Sequence, residues 1–313
     1  MGSSARSCRS AISIPRTFSK SASDRAIAHE VAGLESLSHA ARHGGAPVAR
    51  LASTTATSLA TYAITEMAPT AIAAREFGAR LARTHAFAPT GARVFGEEPP
   101  TFAARFGHLG HMGHALLPMV PAGSPRRTFG EFYANDRLLP YVQPSLRNGS
   151  FSNDDADTIE RLAQRLRDGA FDAPQPALVH TDAALLHGDL WSGNLLWATP
   201  DSIVDGGTGV GSNGSPSYPG PGEIRTATAS GPIGVVIDPA SHGGHAESDL
   251  AQLHVFGARH AADIYAGYND ASPLADGWQE RIGLHKLHIL IIHAALFGGS
   301  YGAQTIRTAK PYL

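Results

Sequence analysis

The chain has 313 residues, is 42% hydrophobic and 17% charged, and carries a formal net charge of −2, the make-up of a globular protein with one large domain or two smaller ones. No basic excess exists to neutralise phosphates, which argues against a nucleic-acid partner. One cysteine, Cys8, forbids an internal disulfide and points to a reducing, cytoplasmic setting, and no apolar run is long enough for a membrane span.

The opening "MGSSARSCRSAISIPRTFSK" is rich in Arg and Ser and free of acids, as transit peptides are. Arg6 sits where a myristoylation signal wants Ser or Thr. A third reading, the tail of a glycine-rich loop, is preferred once the rest of the chain is considered. Ser23 to His43 reads as a helix, with Ile27, Val31, Leu34 and Leu37 on one face, Ser23 or Asp24 as cap, and Gly44-Gly45 as its end. Pro47–Ser53 and Leu59–Glu66 read as paired strands, the alternation clearer in the second. After Pro69 the pattern turns helical, placing Ile72, Phe77, Leu81 and His85 near one stripe.

"GHLGHMGH" spaces His108, His111 and His114 three apart. On a helix they would fan across about 120°, so one zinc could not easily take all three. The glycines and Pro118 favour a loop instead. Asp154–Arg167 and Trp278–Leu296 read as helices, the second buried. "NLLWA" and "GVVIDPA" are short apolar runs suited to a buried hairpin whose tip, Thr199–Pro232, is too rich in Gly, Ser and Pro to repay ordering. The layout is α+β: a small strand-containing front over 1–68 and a larger helical back over 69–313, joined near Glu66-Met67-Ala68, with a flexible insertion at 200–232.

The segment "LLHGDLWSGNLLW" carries the chemistry. Phosphoryl transfer from ATP needs a carboxylate to orient the acceptor hydroxyl, oxygen ligands for magnesium, and a cation on the phosphates. Asp189 on a turn supplies the first, Asn194 a neutral oxygen, and Asp238, ending the "GVVID" strand, a carboxylate on a rigid element suited to a hard cation. Kinase loops use the same His-x-Asp-x4-Asn spacing followed by a strand-ending Asp. Taken singly, each could be a turn residue satisfying backbone groups; the three together favour function. His187 reads as a buttress of the loop, not as its base.

"HGDLWSGN", "IDPA", "GGHAESDLAQL", "LFGGSYGAQTIRTAKPYL" and "FGEFYANDRLLPY" resemble the signatures of the fructosamine (ketosamine) kinase family, relatives of aminoglycoside phosphotransferases, over about Lys20 to Leu313. The resemblance implies a two-lobed protein-kinase-like fold using ATP and Mg2+. It implies Asp189 as catalytic base and Asn194 and Asp238 as magnesium ligands. Lys20 would meet the ATP phosphates with Glu30 as its helix partner. Glu66, Met67 and Ala68 would form the hinge, the backbone of Glu66 and Ala68 meeting adenine. Trp191 would touch the sugar-amine, and Asp249 would brace the catalytic loop. The acceptor implied is a free or protein-bound ketosamine, phosphorylated on the hydroxyl of the sugar's third carbon in a deglycation repair. Two departures stand out: "MGSSARSCRS" shows only the tail of the glycine-rich loop, so weak ATP binding is expected, and Ala246 stands where many relatives carry arginine.

Competing readings are an aminoglycoside- or choline-type phosphotransferase, a catalytically impaired pseudokinase, and a metal protein. The last rests on the 16 histidines, especially the "GHLGHMGH" run and His242, His245, Glu247 and Asp249.

Overall fold

A computed structural model describes residues 16–102, 104–200, 202 and 231–313. The opening "MGSSARSCRS" with Cys8, and nearly all of the insertion, lie outside the described residues. At the front, β1 (Thr17–Ser21) carries Lys20 and α1 (Asp24–Arg42) carries Glu30. Ser23 caps α1 by accepting the Ala26 N–H, as its sequence position suggests, and Asp24 and Arg42 complement the helix dipole at its two ends. Next come β2 (Leu51–Thr54) and β3 (Ser58–Tyr62). The three strands form one antiparallel sheet in the order β1-β3-β2, with Lys20 opposite Leu59.

The expected strand over Pro47–Ser53 is shorter than its apolar pattern suggests. Pro47 cannot donate to a ladder. Its carbonyl instead accepts the Val236 N–H at 2.9 Å, and the Ala49 N–H donates to Val236 at 2.9 Å. This stretch therefore ties the front sheet to the strand that leads into Asp238.

Thr70 caps α2 (Ala71–Ala86) by accepting the Ala73 N–H. Phe77, Leu81 and His85 are buried as expected, but Ile72 is 74% exposed. Five residues before Phe77, it lies roughly 140° round the helix from that stripe, and Ala73 and Ala74 take the buried places. The expected loop around His108–His114 is a hairpin instead: β4 (Leu109–Met112) pairs with β5 (Ala115–Pro118) across a two-residue Gly113-His114 turn. Gly113 at φ 55° supplies the left-handed conformation such a turn needs. Pro118 stands at the strand's last position, where it breaks no ladder.

The back continues through α3 (Phe129–Phe132), a π-helical turn (Tyr133–Leu138), α4 (Leu139–Arg147) and α5 (Asn153–Arg167). Then come β6 (Ala184–Leu186), a 3-10 turn (Ser192–Asn194), β7 (Leu195–Ala198), β8 (Ile233–Val236) and β9 (His242–Gly244). β7 and β8 form the antiparallel hairpin read from the sequence, and β6 pairs with β9. Four helices follow: α6 (Ala246–Gln252), α7 (Ala261–Ala271), α8 (Trp278–Phe297) and α9 (Ser300–Ala309). A small strand-bearing front on a larger, mainly helical back makes the fold α+β.

Among the described residues two large apolar cores form, beside a small third cluster of Ala32, Phe102, Phe106 and Met119. One joins α4, α5 and α8 through Val142, Ile159, Leu162, Leu287 and Ile291; the other joins α1, α2, α6, α7 and the β7–β8 hairpin through Leu37, Phe77, Val236, Leu250 and Ile264. Gly78 and Gly267 let α2 and α7 cross closely, since a Cβ on either would fall within 2.0 Å of a carbonyl on the other helix. Leu186, Leu190 and Leu195, spaced along the "LLHGDLWSGNLLW" segment, are all buried in the second core. Each such burial stabilises by about 1.5–3 kcal/mol, so the loop between them is pinned at three points. No helix among the described residues is long and apolar enough to cross a membrane.

Candidate active site

The turn from β6 to β7 bends at Gly188, whose φ is +88° and where a Cβ would lie 2.1 Å from the Ala240 carbonyl oxygen. Only glycine fits that bend without strain. Beyond it, the Asn194 side-chain amide donates to the Asp189 backbone carbonyl at 2.8 Å and to its Oδ2 at 3.0 Å. Among the described residues this leaves Asp189 Oδ1 without a hydrogen-bond partner, while the Asn194 side chain keeps its amide oxygen as an acceptor. The Ile237 N–H donates to the Asn194 carbonyl at 3.0 Å, fastening the loop to the segment that carries Asp238.

Asp238 follows β8 at φ 54°, a left-handed conformation uncommon for a non-glycine residue. Its carboxylate lies 3.0 Å from Lys20 Nζ, and Glu30 Oε2 lies 2.6 Å from the same nitrogen. Strand β1, helix α1 and the end of β8 thus converge on one ammonium group. Burial alone would lower the Lys20 pKa, but Glu30 and Asp238 hold it above its ordinary value. Burial pushes the Asp189 carboxyl up to about 7, and Asp238 and Asp249 add to that rise against the Asn194 hydrogen bond.

The loop is supported from below. Asp249, fully buried on α6, accepts the His187 N–H at 2.7 Å, the Gly188 N–H at 2.9 Å and His85 Nε2 at 3.1 Å. Although burial would raise its pKa, His85 and these backbone donors hold the carboxylate below its ordinary range. His85 is in turn held by the Tyr268 hydroxyl at 2.9 Å. Gln252, one turn along α6, accepts the Leu190 N–H and donates to the Gly188 carbonyl. The His187 ring accepts the Asp189 N–H at Nδ1 and donates from Nε2 to the Ile237 carbonyl at 2.8 Å. A neutral ring of one tautomer therefore spans from the Asp189 turn to the Asp238 strand. The sequence reading places His85 only on the apolar stripe of α2 and gives no role to His85, Tyr268 or Gln252 under the turn. Only Gln252 had a signal, its place three residues after Asp249 on one helix face.

Glu66, Met67 and Ala68 lie exposed beside β7. The Met67 N–H donates to the Trp197 carbonyl, and the Thr199 N–H to the Thr65 carbonyl, both at 2.8 Å. By strand alternation, the N–H and C=O of Glu66 face the side away from β7. Trp191 leaves the polar loop for an apolar setting: it lines a cavity of about 290 Å3 with Asp189, Phe256, His293 and Phe297. Its ring lies over Gly193, where a Cβ would come within 2.1 Å of it.

The histidine-rich segments form no comparable centre among the described residues. His245 and Glu247 come together with His285, but Glu247 is taken by Arg281 in a paired contact at 2.6 and 2.9 Å. His242 bonds the Ala240 carbonyl, Asp249 lies under the His187–Gly188 turn, and His108 pairs with Glu98. Of the four residues grouped by the metal reading, His242 and Asp249 are thus spent on separate structural contacts, while His245 and Glu247 lie with His285 in a buried cluster whose ligand atoms fall within 4.8 Å of one another.

A lysine paired with a helix carboxylate, facing an aspartate at a strand end and an Asp/Asn turn, is the layout of the protein-kinase-like fold. A solved structure from Thermobifida fusca, described as a "putative fructosamine-3-kinase", is 33% identical with a TM-score of 0.67, covering 91% of this chain and 78% of that one. The gentamicin complex of APH(2")-IIa, at 9% identity and a TM-score of 0.50, covers 95% of this chain and 84% of that one and shows the fold alone. A "probable ketoamine kinase" of Synechocystis is 31% identical over 186 residues, 59% of this chain and 49% of that protein. The matched stretch thus spans about half the length of that relative. The fructosamine kinase family profile matches residues 16–313, so the chain belongs to the fructosamine kinase family.

Proposed function

We propose that this protein is an ATP- and magnesium-dependent phosphotransferase that phosphorylates ketosamines, glycated amines of the fructosamine or ribulosamine type, on the hydroxyl of the sugar's third carbon. The product would then decompose and free the amine, a deglycation. The relatives named as ketoamine and fructosamine kinases support this substrate class. The observation that carries the reading is the convergence of Glu30 and Asp238 on Lys20, beside an Asp189 whose neighbour Asn194 leaves one carboxylate oxygen free.

In this reading Asp189 Oδ1 accepts the proton as the hydroxyl oxygen bonds to the γ-phosphorus and the bond to the bridging oxygen breaks, releasing ADP. A carboxyl raised toward neutrality is well matched to that task. Lys20, held in direction by Glu30, steadies the phosphates. The hinge backbone at Glu66 and Ala68, with Met67 between them, meets adenine, and the division between 1–68 and 69–313 falls there. Asn194 and Asp238 would hold magnesium: they present an amide oxygen and a carboxylate, hard donors of the kind it takes. Magnesium, when bound, neutralises charge on the transferring phosphate. His187 and Asp249 position the turn and touch no reactant, while Trp191 offers its ring to the sugar-amine.

Aminoglycosides are the weaker reading. They are polycations, and Asp189 is the sole carboxylate among the residues lining the cavity.

The test is magnesium-dependent ATP consumption screened over several ketosamines and aminoglycosides, with Asp189→Ala alongside. Turnover of ketosamines that Asp189→Ala loses while keeping its fold is expected. Retained turnover in that variant, or turnover of aminoglycosides alone, would refute the assignment.

A further inference from the structure

The cavity beside Asp189 has an aromatic side that the chemistry of phosphoryl transfer does not require. Trp191 meets Phe256 edge to face at 5.3 Å between ring centres. Phe256 meets His293 at 5.5 Å, and His293 meets Phe297 at 5.4 Å. Four rings from the catalytic loop, the segment after α6, and α8 thus form one continuous wall, with Leu296 beside them. Phe256 is 44% and Phe297 64% exposed. Large exposed apolar side chains grouped at the mouth of a cavity mark a surface that something apolar covers.

We propose that this wall is the subsite for the substituent on the substrate's amine, and that it selects ketosamines of uncharged aryl or alkyl amines over those whose amine carries a carboxylate. The inference rests on the acceptor reading given above and extends it to the other half of the substrate. The charge inventory decides the direction. Among the described residues that line the cavity, Asp189 is the one acid and there is no lysine or arginine. A substrate carboxylate entering here would lose water, meet no cation, and stand near Asp189. A phenyl or alkyl group would replace water on Phe256 and Phe297 at no such cost.

His293 supplies the polar handle. Its Nδ1–H donates to the Ile289 carbonyl at 2.7 Å, which fixes the tautomer and leaves Nε2 as an acceptor. Burial lowers its pKa, so the ring is neutral at ordinary pH. Such a nitrogen accepts an N–H from the protonated secondary amine of a ketosamine. The amine's positive charge is also attracted by the neighbouring ring faces.

The experiment compares four ketosamines of one sugar: the unsubstituted amine, benzylamine, butylamine, and 4-aminobutanoate, the last two differing by one carboxylate. Steady-state kcat/KM and calorimetric affinity are measured for each. The benzyl and butyl compounds are expected to exceed the aminobutanoate compound at least tenfold in both, chiefly through KM. Phe297→Ala and Phe256→Ala, both at exposed positions, are expected to shrink that ratio several-fold. Equal values across the series, preference for the carboxylate, or an unchanged ratio in both variants would overturn the proposal. If no ketosamine is phosphorylated while the affinity ranking holds, the catalytic reading fails and the selectivity of the wall stands. If the ranking is flat, the selectivity fails whatever the turnover.

Discussion

His29 offers a test of how the front sheet and helix α1 are locked to the larger, helical back. Its ring is 1% exposed, one residue before Glu30, and reaches two other elements. Nε2 donates to the Ser241 carbonyl at 3.0 Å, and Nδ1 accepts the His111 N–H at 3.2 Å. Only acceptance of the His111 N–H needs a neutral ring; Nε2 can donate to Ser241 in either protonation state, and the His111 carbonyl also lies 3.1 Å from Nδ1. Burial lowers the pKa from 6.5 to about 4, more than the hydrogen bonds to Ser241 and His111 restore. An unfolded chain protonates this ring near 6.5. Between that pH and about 4 the unfolded state therefore binds the extra proton, and stability falls as pH falls through the window. The loss from this one group is about 3 kcal/mol, at about 1.36 kcal/mol per pH unit. Asp189 is raised to about 7, which contributes in the opposite sense over part of the same range, so the wild-type curve alone is ambiguous. The variant His29→Gln, which does not titrate, separates the two. At pH 7.5 it should be less stable than wild type by about 1–3 kcal/mol, the cost of imperfectly satisfied buried partners. By pH 4 that gap should close or reverse. Urea denaturation of both proteins at pH 7.5, 6, 5 and 4 measures it. A gap constant across the series would show that the ring is not held neutral and would refute the reasoning.

Asp249→Asn should destabilise by about 2–4 kcal/mol, because an amide can accept from only some of the three donors now on the carboxylate and leaves a buried N–H unpaired; thermal unfolding reads the loss, and phosphorylation should fall beyond the change in folded fraction. Gly188→Ala should cost at least as much, since the added Cβ meets the Ala240 carbonyl oxygen at 2.1 Å on a left-handed backbone. An unchanged melting temperature in that variant would mean that the turn can relax freely.

The part of the site legible in the sequence is the part set by short-range geometry. His187, Asp189 and Asn194 lie on one turn, and the apolar runs flanking the insertion pair as their composition suggests because each can bury only against the other. Lys20 and Glu30 could be named only through family resemblance, since no local pattern distinguishes them from surface charges. What the sequence hid depends on residues far apart in the chain. Phe256, His293 and Phe297 complete the cavity from elements more than sixty residues beyond Trp191, and nothing in their spacing points to it. The hairpin over Leu109–Pro118 was masked by its glycines, which here serve a tight turn and close packing: a Cβ on Gly110 would lie 2.8 Å from the His29 ring. The histidines mislead for a related reason. A neutral imidazole offers one donor and one acceptor on a rigid ring, so His29 and His187 each bridge two polar groups in the interior. In sequence, such a residue looks the same as a metal ligand.

The insertion between β7 and β8 should be dispensable for folding, and the ladder says why. Leu195 pairs with Val236 at one end of the hairpin, next to Asn194 and Asp238, while Ala198 pairs with Ile233 at the other. The insertion thus leaves and returns at neighbouring residues about 5 Å apart, some three strand residues or about 10 Å from the catalytic end. Any connection that spans adjacent strands preserves the register that sets Asn194 against Asp238. Shortening the insertion fourfold with a Gly-Ser turn lowers the loop-closure cost by about 0.6 kcal/mol per halving, or about 1.2 kcal/mol in all. The shortened protein should melt no lower than wild type and, at the temperature of maximum stability, slightly resist denaturant. A lower melting temperature would mean that the insertion contributes contacts to the fold. Unchanged stability with lost phosphorylation would place its contribution at the proposed adenine hinge instead, because the Ala198 end of the ladder bridges directly to Glu66.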